Sequence, residues 1–190
     1  MLPDLQPTLG DALVRARPLA ADDFEALYAV ASDPLLWEQH PSRTRWQRDV
    51  FANLFEGAMA SGGALLVTDA QSGAPIGSSR FYDFDAAYPQ LAIGYTFLAR
   101  SCWGRGYNQA LKALMLGHAF QQVSRVLFHV GAQNRRSRIA MERLGGVLVG
   151  EAAIAYYGEA TNLNVIYAID RAQWQRGREQ PGGQPPAAGR

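Results

Sequence analysis

The stretch SCWGRGYN, residues 101–108, joins an alternating apolar run to a helical pattern, and its reading decides the fold. A strand-to-helix turn leaves several backbone N–H groups without partners, and the helix dipole adds partial positive charge there. Gly104 and Gly106 let the backbone approach a ligand closely, and Arg105 adds charge. Such a turn is a ready-made anion site, best suited to phosphate. Neither of two common phosphate-binding patterns fits. No Gly-Lys-Ser/Thr follows, which excludes a P-loop, and Gln109 stands where a dinucleotide fingerprint needs its third glycine. On these residues alone, a phosphate cradle and a plain tight turn both remain open.

Outward from the turn, Leu91–Leu98 (LAIGYTFL) reads as a strand. Residues 108–122 read as a helix, with Leu111, Leu114, Met115, Ala119 and Phe120 at helical spacing. Upstream, Ala12–Pro18 alternates as a half-buried strand does. Asp22 and Asp23 open a helix that ends at Asp33-Pro34. A second helix is expected from an N-cap at Thr44, with Gln47 closing a capping box and Trp46, Val50, Phe51, Leu54, Phe55 and Met59 along it. The strand runs at 64–69 and 75–82 flank a QSGA hairpin turn. Downstream come a strand at 126–130, a short helix at 137–144 closed by Gly145-Gly146, and strands at 147–155 and 164–169. The order β-α-α-β-β-β-α-β-α-β-β implies an α+β fold with a mixed, mostly antiparallel sheet of about seven strands, not a doubly wound parallel one.

Composition narrows the classes. The chain has 190 residues, 48% of them hydrophobic, which suits one globular domain. Eighteen basic against 17 acidic side chains leave a formal charge of +1, so no strong field gathers nucleic acid or acidic membranes. Cys102 is the sole cysteine, which rules out an intrachain disulfide and a multi-cysteine metal site. The reading is a reducing, cytoplasmic setting with no signal peptide, no membrane span and no metal. Residues 1–11 read as an unanchored arm, 12–175 as the folded domain, and 176–190, rich in Gly, Pro and Gln, as a disordered tail.

Several blocks together resemble the GCN5-related N-acetyltransferase (GNAT) superfamily, closest to the branch that includes ribosomal-protein N-terminal acetyltransferases. They are IGYTFL at 93–98, WGRGYN at 103–108, LKALMLGHAF at 111–120, NRRS at 134–137, MERLGG at 141–146, and VIYAI leading to Trp174. Their order and spacing carry the likeness across nearly the whole domain. The resemblance implies splayed fourth and fifth strands with the pantetheine of acetyl-CoA in the gap. It implies that the backbone of Thr96, Phe97 and Leu98 pairs with the pantetheine, and that the N–H groups of Trp103, Gly104, Arg105, Gly106, Tyr107 and Asn108 cradle the pyrophosphate. Asn134 would contact pantetheine or order water; the cluster Arg135, Arg136 and Arg138 beside it reads as a solvated helix face, with a hold on the 3′-phosphate by one of them as its other reading. Trp37 and His40 would line the pocket of an amine acceptor, a small molecule or a protein N-terminus. A homodimer is compatible with all of this.

Three positions depart from the family pattern. Asn108 replaces a small residue at the end of the loop and reads as a helix N-cap. Ala92 occupies the position of a glutamate that many relatives use as general base. Met141 stands where many carry a tyrosine acid. In the nearest branch a serine one turn earlier serves the leaving thiolate, and Ser137 matches it; capping the helix is its other reading. A thiol with a pKa of about 8.5 needs little help to leave. His129, Asp83, Asp85, Glu151 and Tyr156 stand as candidate bases. Cys102, with no base evident nearby, reads as incidental. The expected activity is acetyl transfer by direct attack of the amine in a ternary complex. The alternative is a coenzyme-A-binding module without transferase activity.

Overall fold

The computed structural model describes residues 3–179. Its core is one eight-stranded sheet in the order β1-β2-β3-β4-β5-β6-β8-β7. The strands are β1 (Leu9–Gly10), β2 (Val14–Pro18), β3 (Ala64–Asp69), β4 (Pro75–Asp85), β5 (Gln90–Leu98), β6 (Arg125–Gly131), β7 (Val147–Ile154) and β8 (Asn162–Asp170). Every pairing is antiparallel except β5 with β6. The helices are α1 (Phe24–Ala31), α2 (Arg48–Ala60), α3 (Tyr107–Ala119), α4 (Arg135–Arg143) and α5 (Arg171–Glu179). The architecture is the expected α+β one, and the expected fourth and fifth strands are β5 and β6. The additional strand, β1, comes from the segment expected to be a loose arm. Gly10 and Leu9 pair with Arg15 and Ala16, and Leu5 and Leu9 pack on the core.

Strand alternation assigns the two faces of the sheet. Leu65, Val67, Phe81 and Ile93 face α3, whose Leu111, Met115 and Leu116 are fully buried. Ala64, Leu66 and Phe97 face α1 and α2, where Leu27, Phe51, Leu54 and Phe55 close the second core. A helix on each face leaves the centre of the sheet little wetted area except where its strands part, while the edge strand β7 stays largely exposed.

Four boundaries differ from the expected ones. The helix α2 begins at Arg48 with Gln47 as N-cap, not at Thr44, and Trp46 sits in the preceding turn, where its carbonyl accepts from the Tyr28 hydroxyl. The helix α3 begins at Tyr107, because Gly106 with φ +84° holds the left-handed N-cap position; Asn108 therefore lies inside the first turn and is not the cap. The helix α4 begins at Arg135, two residues early, because Asn134 caps it. Finally α5, a helix absent from the expected order, follows β8 and runs to Glu179, across the expected start of the tail, and residues 180–190 lie outside the described residues.

The α3 face is the hub of the larger core. Replacing Leu111 with alanine removes a fully buried side chain and should cost about 2–5 kcal/mol. Urea denaturation should show a lower midpoint with an unchanged slope.

Candidate functional site

The site begins with a pairing that stops. Gln90, Leu91 and Ala92 pair in parallel with Arg125, Val126 and Leu127, and beyond them no β5–β6 pairing continues. The strand β5 runs on to Leu98 and β6 to Gly131, so their facing backbone groups lie open to whatever enters between them. Two features turn β5 away. The step from Ser78 to Arg80 on β4 matches the longer step from Phe97 to Gly94 on β5, which is a bulge, and Tyr95 within it has φ +51°. Gly94 is needed beside it, since a Cβ there would lie 2.9 Å from the Tyr82 hydroxyl.

A cavity of about 1210 Å³ fills the gap. At one end lies the SCWGRGYN turn. Gly104 (φ +70°) and Gly106 (φ +84°) hold left-handed conformations that only glycine takes cheaply, and they point the first N–H groups of α3 outward. Trp103, Gly104, Gly106 and Asn108 line the cavity, as do Thr96, Phe97 and Leu98. The side chains of Arg105 and Tyr107 do not. Arg105 turns to the Ser101 carbonyl at 3.3 Å. Tyr107 is buried in the core and donates to Asp69 at 2.7 Å, pinning the start of α3 to β3. That bond, after the one from the Ser72 hydroxyl, holds Asp69 down to about 2.

The opposite wall is α4. Asn134 and Ser137 both line the cavity, but their capping duties are the reverse of one expectation: Asn134 Oδ1 accepts from the Ser137 backbone N–H at 3.1 Å. The Ser137 hydroxyl has no hydrogen-bond partner among the described residues. Arg136 stacks over Trp103 at 3.9 Å and donates to the Leu36 carbonyl, bridging the two walls at the mouth. Arg138 is held by the Ala132 carbonyl and the Tyr167 hydroxyl. Of the three arginines beside Asn134, Arg135 is the one that lines the cavity with no side-chain hydrogen bond among the described residues. Cys102 also lines the cavity, but burial raises its thiol pKa and keeps it protonated.

The far end is aromatic and rigid. Trp37 is 2% exposed, donates to the Ala31 carbonyl and packs on Phe97 and His40. Burial, then the Arg45 charge, pushes His40 down to about 3. Its Nδ1 faces the Ser42 N–H at 2.9 Å and its Nε2 faces Arg45 at 3.0 Å. A neutral imidazole carries one proton, so only one of these contacts is a hydrogen bond at a time. The nitrogens are engaged, and His40 cannot act as a base. Arg45 makes a two-pronged buried ion pair with Glu159, at 2.6 and 2.8 Å, and Ser42 also donates to that carboxylate. This pair fastens the loop after Trp37 to the β7–β8 connection. Tyr156 lines the same end and donates to Asn164 at 2.8 Å.

Two features stand out that sequence reading ranked low or missed. The first is His129. It lines the cavity on β6, on the same side as Ala92, with its Nδ1 3.1 Å from the hydroxyl of Tyr82, and Tyr82 pairs with Ala92 across β4 and β5. Burial lowers the His129 pKa and raises that of Tyr82 strongly, so at neutral pH the imidazole is uncharged and the phenol keeps its proton. Asp83, Asp85 and Glu151 do not line the cavity. The second is Lys112, 2% exposed on the buried stripe of α3 and also lining the cavity. Its spacing from Leu116 and Ala119 was the available signal, a cation at an apolar position.

The family model described as "Acetyltransferase (GNAT) domain" matches residues 14–147. The chain belongs to the GNAT acetyltransferase family. No curated protein matches it by sequence. Among solved structures it is similar to a GCN5-related N-acetyltransferase from Brucella melitensis, with 18% identity and a TM-score of 0.76 over 95% of this chain and 90% of that one. It is similar to Mycobacterium smegmatis RimJ in complex with CoA-disulfide, with 20% identity and a TM-score of 0.71 over 91% of each chain. It is also similar to Vibrio cholerae spermidine N-acetyltransferase in complex with CoA and spermine, with 15% identity and a TM-score of 0.65 over 87% of this chain and 99% of that one. At these identities the likeness is one of fold. Among the described residues no helix is long and apolar enough to cross a membrane.

The Arg45–Glu159 pair makes the acceptor end a sensitive point for stability. Glu159→Ala strands a buried guanidinium and should cost about 3–5 kcal/mol, read as a fall in melting temperature, whereas exposed Glu25→Ala should leave it nearly unchanged.

Proposed function

We propose that this GNAT chain transfers the acetyl group of acetyl-CoA to an amine that meets it in the gap between β5 and β6. The observation that carries the reading is the parting of these strands beside a glycine turn at a helix N-terminus. Unpaired strand backbone suits the amides of pantetheine, and the outward N–H groups of the turn suit a diphosphate. In this reading Thr96, Phe97 and Leu98 hold the pantetheine through their backbone. The backbone N–H groups of Gly104, Gly106, Tyr107 and Asn108 hold the pyrophosphate, those of Trp103 and Arg105, expected to join them, being donated to the Arg100 and Cys102 carbonyls within the turn, and Arg135 serves the 3′-phosphate. Acetyl-CoA supplies an activated thioester carbonyl.

The acceptor amine enters past Trp37 and Tyr156 and attacks that carbonyl directly. A β5 backbone N–H near the bulge polarises it, and confinement between the strands supplies much of the rate. Ala92 offers no carboxylate, so the proton of the amine goes elsewhere. The Tyr82 hydroxyl passes it on to His129, which is uncharged and able to receive it. Ser137, its hydroxyl uncommitted, protonates the leaving thiolate. The Tyr82–His129 pair favours catalysis over the reading of a coenzyme-A-binding module without transferase activity. The acceptor class remains an amine, small or a protein N-terminus.

Calorimetry with coenzyme A tests the turn. Gly106→Val loses the left-handed N-cap at a cost of roughly 1–2 kcal/mol, and affinity should fall about tenfold. Binding of equal strength in this variant would remove coenzyme A from the turn. An acceptor screen then tests the chemistry. His129→Gln should lower kcat by about 10²-fold or more with the KM for acetyl-CoA unchanged. The native rate should fall as pH drops through a value below about 6.5, where His129 takes up its proton, and this limb should vanish in the variant.

A further inference from the structure

Lys112 is the one lysine of the chain; the other basic side chains among its 18 are arginines. The side-chain amine that an acetyl donor would most readily modify is thus absent from the whole protein surface and present inside the cavity. Lys112 projects from α3 toward the open part of β5. Its Nζ donates to the Ser79 hydroxyl at 3.3 Å and to the Thr96 hydroxyl, and these two hydroxyls lie 2.7 Å from each other. The ring of Phe128, on β6, is 5.8 Å away. No carboxylate faces it from α3, β4, β5 or β6 among the described residues, and no ion pair includes it. Burial alone brings its pKa down to about 7, so near neutrality a large fraction is the free amine. A free amine gives its two hydrogens to Ser79 and Thr96, and the lone pair is what remains. Thr96 lies in the segment of β5 that has left β6, beside the proposed path of the thioester.

We propose that Lys112 is itself an acetyl acceptor, a site of self-acetylation inside the cofactor cavity. This rests on the reading of the cavity as an acetyl-CoA site. The uncharged Nζ attacks the thioester carbonyl, a C–N bond forms and the C–S bond breaks with its electron pair leaving on sulfur. The proton lost from nitrogen goes to that thiolate, so the products are Nζ-acetyl-lysine and coenzyme A. The amide has no basic nitrogen and is bulkier than the amine. It fills the space the next thioester needs, and the modified chain turns over more slowly.

The test uses the full chain and acetyl-CoA, with binding followed by calorimetry and modification by intact mass and peptide mapping. One acetyl group on Lys112 is expected. It should accumulate faster as pH rises through neutrality, be suppressed by excess coenzyme A, and be lost in Lys112→Met. An unlabelled Lys112 in native protein that binds acetyl-CoA overturns the proposal, as does label confined to the terminal amine. Label on Lys112 that excess coenzyme A does not suppress also overturns it, since the reaction would then not pass through the site. Failure to bind acetyl-CoA at all overturns the cavity reading, and this inference with it. Mapping on the native chain keeps the answer independent of how well Lys112→Met folds.

Discussion

The parting of β5 from β6 after Ala92 and Leu127 is the constraint on which the rest depends. A sheet that stops pairing in its middle exposes backbone donors and acceptors that folding ordinarily satisfies. The cost is met by structure on both sides. The bulge at Tyr95 bends β5 away while keeping it bonded to β4, and β6 keeps full register with β8. Each strand remains anchored to its outer neighbour, so the gap is rigid. Helices cover both faces at the centre of the sheet, where ligand access runs through the gap and its two ends.

Burial then decides the protonation of almost every ionisable group around the gap. His40 and His129 are held neutral, Tyr82 and Tyr156 keep their protons, and Lys112 is drawn toward neutrality. The charged exceptions include Arg45, paired with Glu159, and Arg135 and Arg136 on the α4 wall. The uncharged donors and acceptors that β4, β5 and β6 present to the cavity suit proton transfer between neutral groups better than they suit an ionised base. This is consistent with alanine where many relatives of the resembled family carry glutamate. It also separates two histidines that look alike in sequence: His40 has a donor facing each ring nitrogen and is pushed down to about 3, while His129 touches one phenol.

The readings that held rest on local chemistry. Glycines at 104 and 106 allow left-handed conformations at little cost, and both take them, so the turn was legible from SCWGRGYN. The apolar period of α3 reports its buried face and the apolar runs of β3 to β6 report buried strands, and these elements fall within a few residues of expectation. Capping was harder. Asn134, Ser137, Thr44 and Gln47 are all plausible caps by type, and which one serves depends on where the preceding strand or turn delivers the chain.

By itself the sequence determined the order of the elements between β2 and β8, the α+β class, the glycine turn and the family, because each depends on neighbours within a few residues or on motif order. Tertiary structure alone decided which side chains share the cavity. Glu159 meets Arg45 across 114 residues and His129 meets Tyr82 across 47. Tyr107 was turned from the loop into the core by Asp69. Lys112 became a partly neutral amine only because packing buries it, with hydroxyls and no carboxylate against it. The physical reason is common to all four. Desolvation and pairing are properties of the whole packed environment, and no local pattern encodes them.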